Sequence, residues 1–217
     1  MAAMLIGVLT ASAQEKVISL ADLDWYFQQA ERASFNSPWS VRTVVDVGET
    51  PKGQWEDYSR WDYTVVPPDR AHLVYHSGLK GEFIHIGPLS YTKAEDGTWA
   101  MSHDTIRGPM VSPTSVRRFG DGEISYTQSR SGETIVVTVI SKAVDDADPL
   151  DTRTRTYIFY FAADRDIDGR RGKITGEESI IHNGTKWVRT TNIYTFNPNI
   201  RIEAPEEKVA SQLEPIP

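Results

Sequence analysis

The chain reads as mostly β (α+β): a curved antiparallel sheet of about ten strands beside one long helix. Three observations point there. From Trp39 onward, apolar residues recur with a period of two. Clusters of Gly, Pro, Asn and Asp interrupt those runs at short spacing. Ahead of Trp39, a single stretch has helical spacing.

That stretch opens on Ser19-Leu20-Ala21-Asp22, the form of a capping box with Asp in place of Glu. Leu20, Leu23, Phe27 and Ala30 follow on one face, widened by Tyr26 and Ala33. Pro38 disfavours a helical Ser37, so a helix is expected over Ser19–Asn36. Strands are then expected from Trp39, over 55–66, 70–76, 82–86, 89–93 and 98–101. Five more follow over 123–129, 133–143, 153–163, 172–182 and 185–196. Between the two groups, 103–122 carries Pro109 and Pro113, with a short helix expected from Ser112 to Phe119. Asn183-Gly184 is a two-residue hairpin signal.

One turn sets a register. Gly78-Leu79 suits a type II′ turn that pairs Ser77 with Lys80. Leu73 then lies opposite Ile84, and Ala71 opposite Ile86. Trp61, Tyr63, Leu73, Tyr75, Ile84 and Ile86 are expected toward the helix, and Arg70, His72, His76 and His85 away from it. Ile84 should be less accessible than His85. The sheet should contain no parallel pair, and the protein no second core.

Composition narrows the function classes. Of 217 residues, 39% are hydrophobic and 10% aromatic, enough for a large core without metals or disulfides. The net charge is −7, which disfavours binding to nucleic acid. There are no cysteines, hence no thiolate metal site, no cysteine nucleophile and no lipid-modified N-terminal cysteine. Met4 to Leu9 is a short apolar run followed by Ala11-Ser12-Ala13, a small-x-small cleavage pattern. We therefore expect residues 1–13 to be a signal segment, possessing no basic n-region, and the protein to be periplasmic or secreted from a bacterium. A single domain is expected over 14–205, with 206–217 a loose tail.

The chemistry-bearing patterns are sparse. His72 and His85 would face each other in the expected register, with His76 on the same face, but a zinc site needs a further ligand. Asp164, Asp166, Asp168 and Gly169 match the opening of a calcium loop, yet position 12 is Thr175 rather than a bidentate Glu. There is no Gly-x-Ser-x-Gly elbow, Walker loop or dinucleotide fingerprint. Glu177 and Glu178 alternate across a strand and so would not face a common substrate. We expect no enzyme, no cofactor and no bound metal.

Pro68-Asp69-Arg70, then Glu82-Phe83-Ile84-His85-Ile86-Gly87, Tyr91-Thr92-Lys93 and Asp96-Gly97-Thr98-Trp99 resemble the LolA-like lipoprotein-carrier superfamily. The nearest resemblance is to the branch of the LppX- and LprG-type lipid-binding lipoproteins. Tyr194-Thr195-Phe196-Asn197 and Ile200 to Pro205 resemble that branch's final strand. The resemblance implies an eleven-stranded antiparallel half-barrel with helices on its concave face and an apolar cavity between them. The absence of a lipobox cysteine implies a soluble rather than an anchored protein.

One helix and a short insertion are little cover for ten strands, so part of the apolar face is expected to line a cavity. The expected lining is Phe27, Trp61, Tyr63, Leu73, Tyr75, Ile84, Ile86, Tyr91 and Phe159. The function expected is that of a monomeric carrier for a lipid or acyl-chain ligand, exchanging it with a membrane or lipoprotein partner. The alternative is a ligand-free interaction or sensor domain, calcium-stabilised at Asp164–Gly169.

Overall fold

The computed structural model describes residues 15–103, 123–145, 148–162, 173–205 and 209–211. The expected signal segment, the 103–119 insertion beyond His103 and the Asp164–Gly169 loop lie outside the described residues. The strands are β1 (Lys16–Val17), β2 (Trp39–Gly48), β3 (Glu56–Val66), β4 (Arg70–Ser77), β5 (Gly81–Ile86), β6 (Leu89–Lys93) and β7 (Trp99–His103). They continue as β8 (Glu123–Ser131), β9 (Thr134–Asp145), β10 (Asp148–Ala162), β11 (Ile174–His182), β12 (Trp187–Phe196) and β13 (Val209–Ser211). The helix α1 spans Leu20–Asn36. It is the single helix of the described residues, and none is long and apolar enough to cross a membrane.

All strands lie in one unclosed curved sheet, ordered β1-β8-β9-β10-β11-β12-β2-β3-β4-β5-β6-β7-β13. Eleven of them, β2 to β12, fall where strands are expected from the sequence. β1 is added to one edge against β8, and β13 to the other. β13 runs parallel to β7, with Val209 beside Trp99. It is the sheet's exception to antiparallel pairing, and it corrects the expectation that no parallel pair would form.

The helix starts and stops for the reasons its sequence supplies. Asp22 N–H donates to Ser19 Oγ (3.2 Å), and Ser19 N–H donates to Asp22 Oδ2 (2.9 Å), a reciprocal cap. Ser37, ahead of Pro38, is extended at φ −142°. Leu23, Tyr26 and Ala30 are buried on the sheet with Val137, Val139, Phe159 and Phe161, forming the main core. Tyr26 stacks on Phe161 at 5.1 Å and donates from its hydroxyl to Gln128 Oε1 (3.0 Å). The helix therefore covers the β8–β11 part of one face, here called the helix face.

A second cluster corrects the expectation of one core. Ile84, Tyr91, Trp99 and Ile202 are buried together, with Val66, Ile86, Leu89 and Met101 against them. Strand alternation puts the strand members on the far face of β3–β7, where residues 200–205 cross without joining the sheet. Arg70 Nη1 fastens that segment by donating to the Ile202 carbonyl (2.7 Å). Ile200 to Pro205 is thus a strap over the far face rather than a final strand.

The β4–β5 register differs from expectation by one residue. Leu73 pairs with Phe83, His72 with Ile84 and Ala71 with His85. β4 does not turn at Ser77. It stays on β3 through Ser77, whose carbonyl accepts from Ser59 Oγ (2.9 Å), so the loop to Gly81 has an odd number of residues. A one-residue slip reverses the face of every side chain in β5. Ile84 is buried and less accessible than His85, as the other register also required, but it is buried on the far face. The Asn183 hairpin shifts likewise. Its central pair is Gly184-Thr185, with Gly184 at φ +98° and Asn183 Oδ1 accepting from the Thr185 and Lys186 amides.

Candidate functional site

The helix face carries the candidate site. Period-two alternation in β3, β4 and β5 brings Trp61, Tyr63, Leu73, Tyr75 and Phe83 onto it. Trp61 lies opposite Tyr75 and Tyr63 opposite Leu73, as expected. Ring centroids are 5.9 Å apart for Trp61 and Tyr75, and 6.3 Å for Tyr75 and Phe83. Four of the five side chains are half-buried, and Phe83 is 39% exposed. Phe83 was absent from the expected lining; the register slip brings it in.

The other expected members on this face are Phe27, which the helix carries, and Phe159, which lies beneath it on β10. They meet edge to face at 4.9 Å, and Phe159 is fully buried. Ile84, Ile86 and Tyr91 are on the far face with Trp99 and Ile202, so they do not line one cavity with the other six. The physical reason is the β5 slip, which carries Ile84 and Ile86 over together with their β6 neighbour Tyr91.

Between the covered and open aromatic groups runs a polar seam. The pairing Phe159–Glu177–Asn192–Thr43–Trp61 is continuous across β10, β11, β12, β2 and β3. Glu177 is 2% exposed. Its Oε2 accepts from Asn192 Nδ2 and from the Tyr194 hydroxyl, each at 3.4 Å, and Asn192 Oδ1 accepts from Thr43 Oγ1 at 2.8 Å. The alternation of Glu177 and Glu178 is as expected, but the seam that Glu177 forms is not among the expected site residues. The signal was present in the Glu177-Glu178 doublet, since alternation must turn one of two adjacent carboxylates toward the interior. A cavity of about 380 Å³ adjoins the helix N-terminus at the sheet edge, lined by Lys16, Ile18, Asp22, Trp25, Tyr26 and Gln128.

The histidines do not converge. His72 and His85 are on opposite faces. His72 Nε2 is 2.9 Å from Glu82 Oε1, His76 Nε2 is 2.9 Å from Asp62 Oδ2, and His85 Nδ1 is 3.0 Å from Ser90 Oγ. Arg42 and Lys93 complete the first two groups, at 2.9 Å from Asp62 and 3.1 Å from Glu82. The Arg42 hydrogen bond holds the Asp62 carboxyl below the usual range against the opposing effect of burial, and His76 adds to it. Burial pushes Glu82 up, but hydrogen bonds from Lys93 and His72 outweigh it and its value is lowered. Among the described residues no three potential metal ligands gather.

No family model matches the chain, and no curated protein matches it. Among similar solved structures is a LolA superfamily protein from Nitrosomonas europaea, 7% identical, with 78% of this chain and 90% of that chain covered and a TM-score of 0.33. Another is a domain of a putative outer membrane lipoprotein-sorting protein from Vibrio parahaemolyticus, 11% identical, with 82% and 93% covered and a TM-score of 0.34. Likeness at that level carries no argument, and the architecture of this chain rests on its own strand pairing.

Proposed function

We infer that the protein is an exported binding protein that holds an apolar or amphiphilic ligand against the helix face and carries it, without catalysing a reaction. The observation that carries this reading is the uneven cover of that face. The helix packs on β8–β11, while Trp61, Tyr63, Leu73, Tyr75 and Phe83 keep accessible surface on β3–β5. An apolar patch rimmed by polar groups is a common mark of a ligand or partner site. The apolar run before Ala11-Ser12-Ala13 supports export, and the sequence resemblance to lipoprotein carriers points to a lipid. On the far face Asp62 holds Arg42 and His76, and Glu82 holds Lys93 and His72.

Binding would be mainly hydrophobic, at roughly 0.8 kcal/mol per buried methylene. Ten such groups give about 8 kcal/mol before ordering costs, which limits affinity to the micromolar range. Native mass spectrometry of freshly purified protein, with lipid extraction of the same sample, tests the reading. A bound acyl lipid, and displacement of a fluorescent fatty acid that is lost in Phe83→Asp, is the expected result. An apo mass together with no fatty-acid binding would overturn it and leave a packed interaction domain.

A further inference from the structure

Resting on that reading, we propose that Arg155 and Ser141 anchor the anionic head of the ligand, and that the ligand is a carboxylate amphiphile of the fatty-acid type. The two residues are direct cross-strand partners in β10 and β9. Alternation with Tyr157 and Phe159 on one strand, and with Val139 and Val137 on the other, puts both on the helix face. Ser141 is fully buried. Its Oγ and the Arg155 Nε are both buried with no hydrogen-bond partner.

Such a pair is costly unless something accepts from it, because a buried guanidinium N–H without an acceptor forfeits its hydration. Other arginines are provided for. Arg42, Arg60 and Arg189 sit on carboxylates, and Arg70, Arg130 and Arg201 donate to carbonyl oxygens. Among the described residues no carboxylate pairs with Arg155. Glu177, the buried carboxylate of this face, lies opposite Phe159, four residues along β10 and about 13 Å away. The described helix-face neighbours of Arg155 are instead Ile124, Val139, Tyr157 and Ile181.

A guanidinium edge matches a carboxylate by two parallel N–H···O bonds, and an adjacent serine hydroxyl can donate a third. From Arg155 the register leads across Ile181, Val188 and Val47 to Glu56 on β3, and Trp61 lies further along that strand, opposite Thr43. Four strand spacings and the four-residue offset from Val47 to Thr43 put Trp61 about 23 Å from Arg155, the scale of an extended acyl chain. The anchor and the patch thus divide one amphiphile between them.

Competition against a fluorescent fatty acid on the full chain tests this, with palmitate, hexadecanol, acetate and lysophosphatidylcholine as competitors. Palmitate should compete roughly tenfold to a hundredfold better than hexadecanol, the range of a charged hydrogen bond. Arg155→Gln should bring palmitate down to the level of hexadecanol while leaving hexadecanol unchanged. Ser141→Ala should weaken palmitate by a smaller factor. Equal binding of palmitate and hexadecanol to the wild-type protein would overturn the anchor and leave the carrier reading intact. That comparison needs no variant to fold. Binding of neither would overturn the carrier reading itself. Displacement by acetate at the concentration effective for palmitate would show a small-anion site and overturn the amphiphile, and stronger competition by lysophosphatidylcholine would overturn the fatty-acid assignment.

Discussion

Phe27 on the helix meets Phe159 on β10 edge to face, with ring centroids 4.9 Å apart and planes at 89°. Phe27 also reaches Phe161 at 6.0 Å, so the contact ties α1 to two successive helix-face positions of one strand. Phe159→Ala should cost about 3–5 kcal/mol, because the side chain is fully buried. A double-mutant cycle with Phe27→Ala should return a coupling of about 0.5–1.5 kcal/mol. Urea midpoints of the four proteins measure it. A coupling near zero would mean the helix does not sit over β10.

The register of β5 can be tested by cross-linking, since the chain contains no cysteine to interfere. Leu73→Cys with Phe83→Cys should oxidise readily to a disulfide, because the two residues are directly opposed. Leu73→Cys with Ile84→Cys should not, because those side chains leave opposite faces. The thiol count after mild oxidation distinguishes the two registers.

Gly78 and Gly97 both have positive φ, at +78° and +86°, but their surroundings differ. A Cβ at Gly78 would lie 2.8 Å from the Tyr58 carbonyl oxygen and 2.7 Å from Ser59 Oγ, whereas one at Gly97 would meet nothing within 4 Å. Gly97→Ala should therefore cost about 1 kcal/mol for the backbone conformation alone. Gly78→Ala should cost clearly more, since β3 must move as well. Equal thermal midpoints for the two variants would contradict the close approach of the β4–β5 loop to β3.

Acid should weaken the protein through Asp62. Its folded value lies below the ordinary 3.8, so its contribution is present above that value and is lost as the pH falls through the lowered one. Arg42→Gln should flatten this part of the stability curve while changing little at neutral pH. The pair is largely exposed on the Arg42 side, so the effect should stay under about 1 kcal/mol. Thermal midpoints below and above the ordinary carboxylate value provide the comparison.

Local pattern alone determined much of this protein. The capping box, Pro38 and one apolar stripe delimit α1, because helix ends are decided by backbone groups a few residues apart. Eleven runs between turn residues delimit β2 to β12; most alternate as half-covered strands do, while Ile135–Ile140 and Tyr157–Phe161 are apolar on both faces. The Trp61–Tyr75 and Tyr63–Leu73 pairs were also legible, since the short break at Pro67-Pro68-Asp69 leaves little choice of register. Other features were decided only by tertiary structure. Whether the β4–β5 loop holds an even or an odd number of residues depends on β3 retaining Ser77, a contact 18 positions away from Ser59. That single choice moves Ile84 and Ile86 from the helix face to the far face and puts Phe83 in their place. The strap at Ile202 gives those isoleucines a second core, and no alternation within β5 announces a cover from so far along the chain. The opposition of Arg155 and Ser141, and the seam from Glu177 to Thr43, likewise arise only when distant strands are laid side by side, because periodicity assigns a side chain to a face and leaves its neighbours to the sheet order.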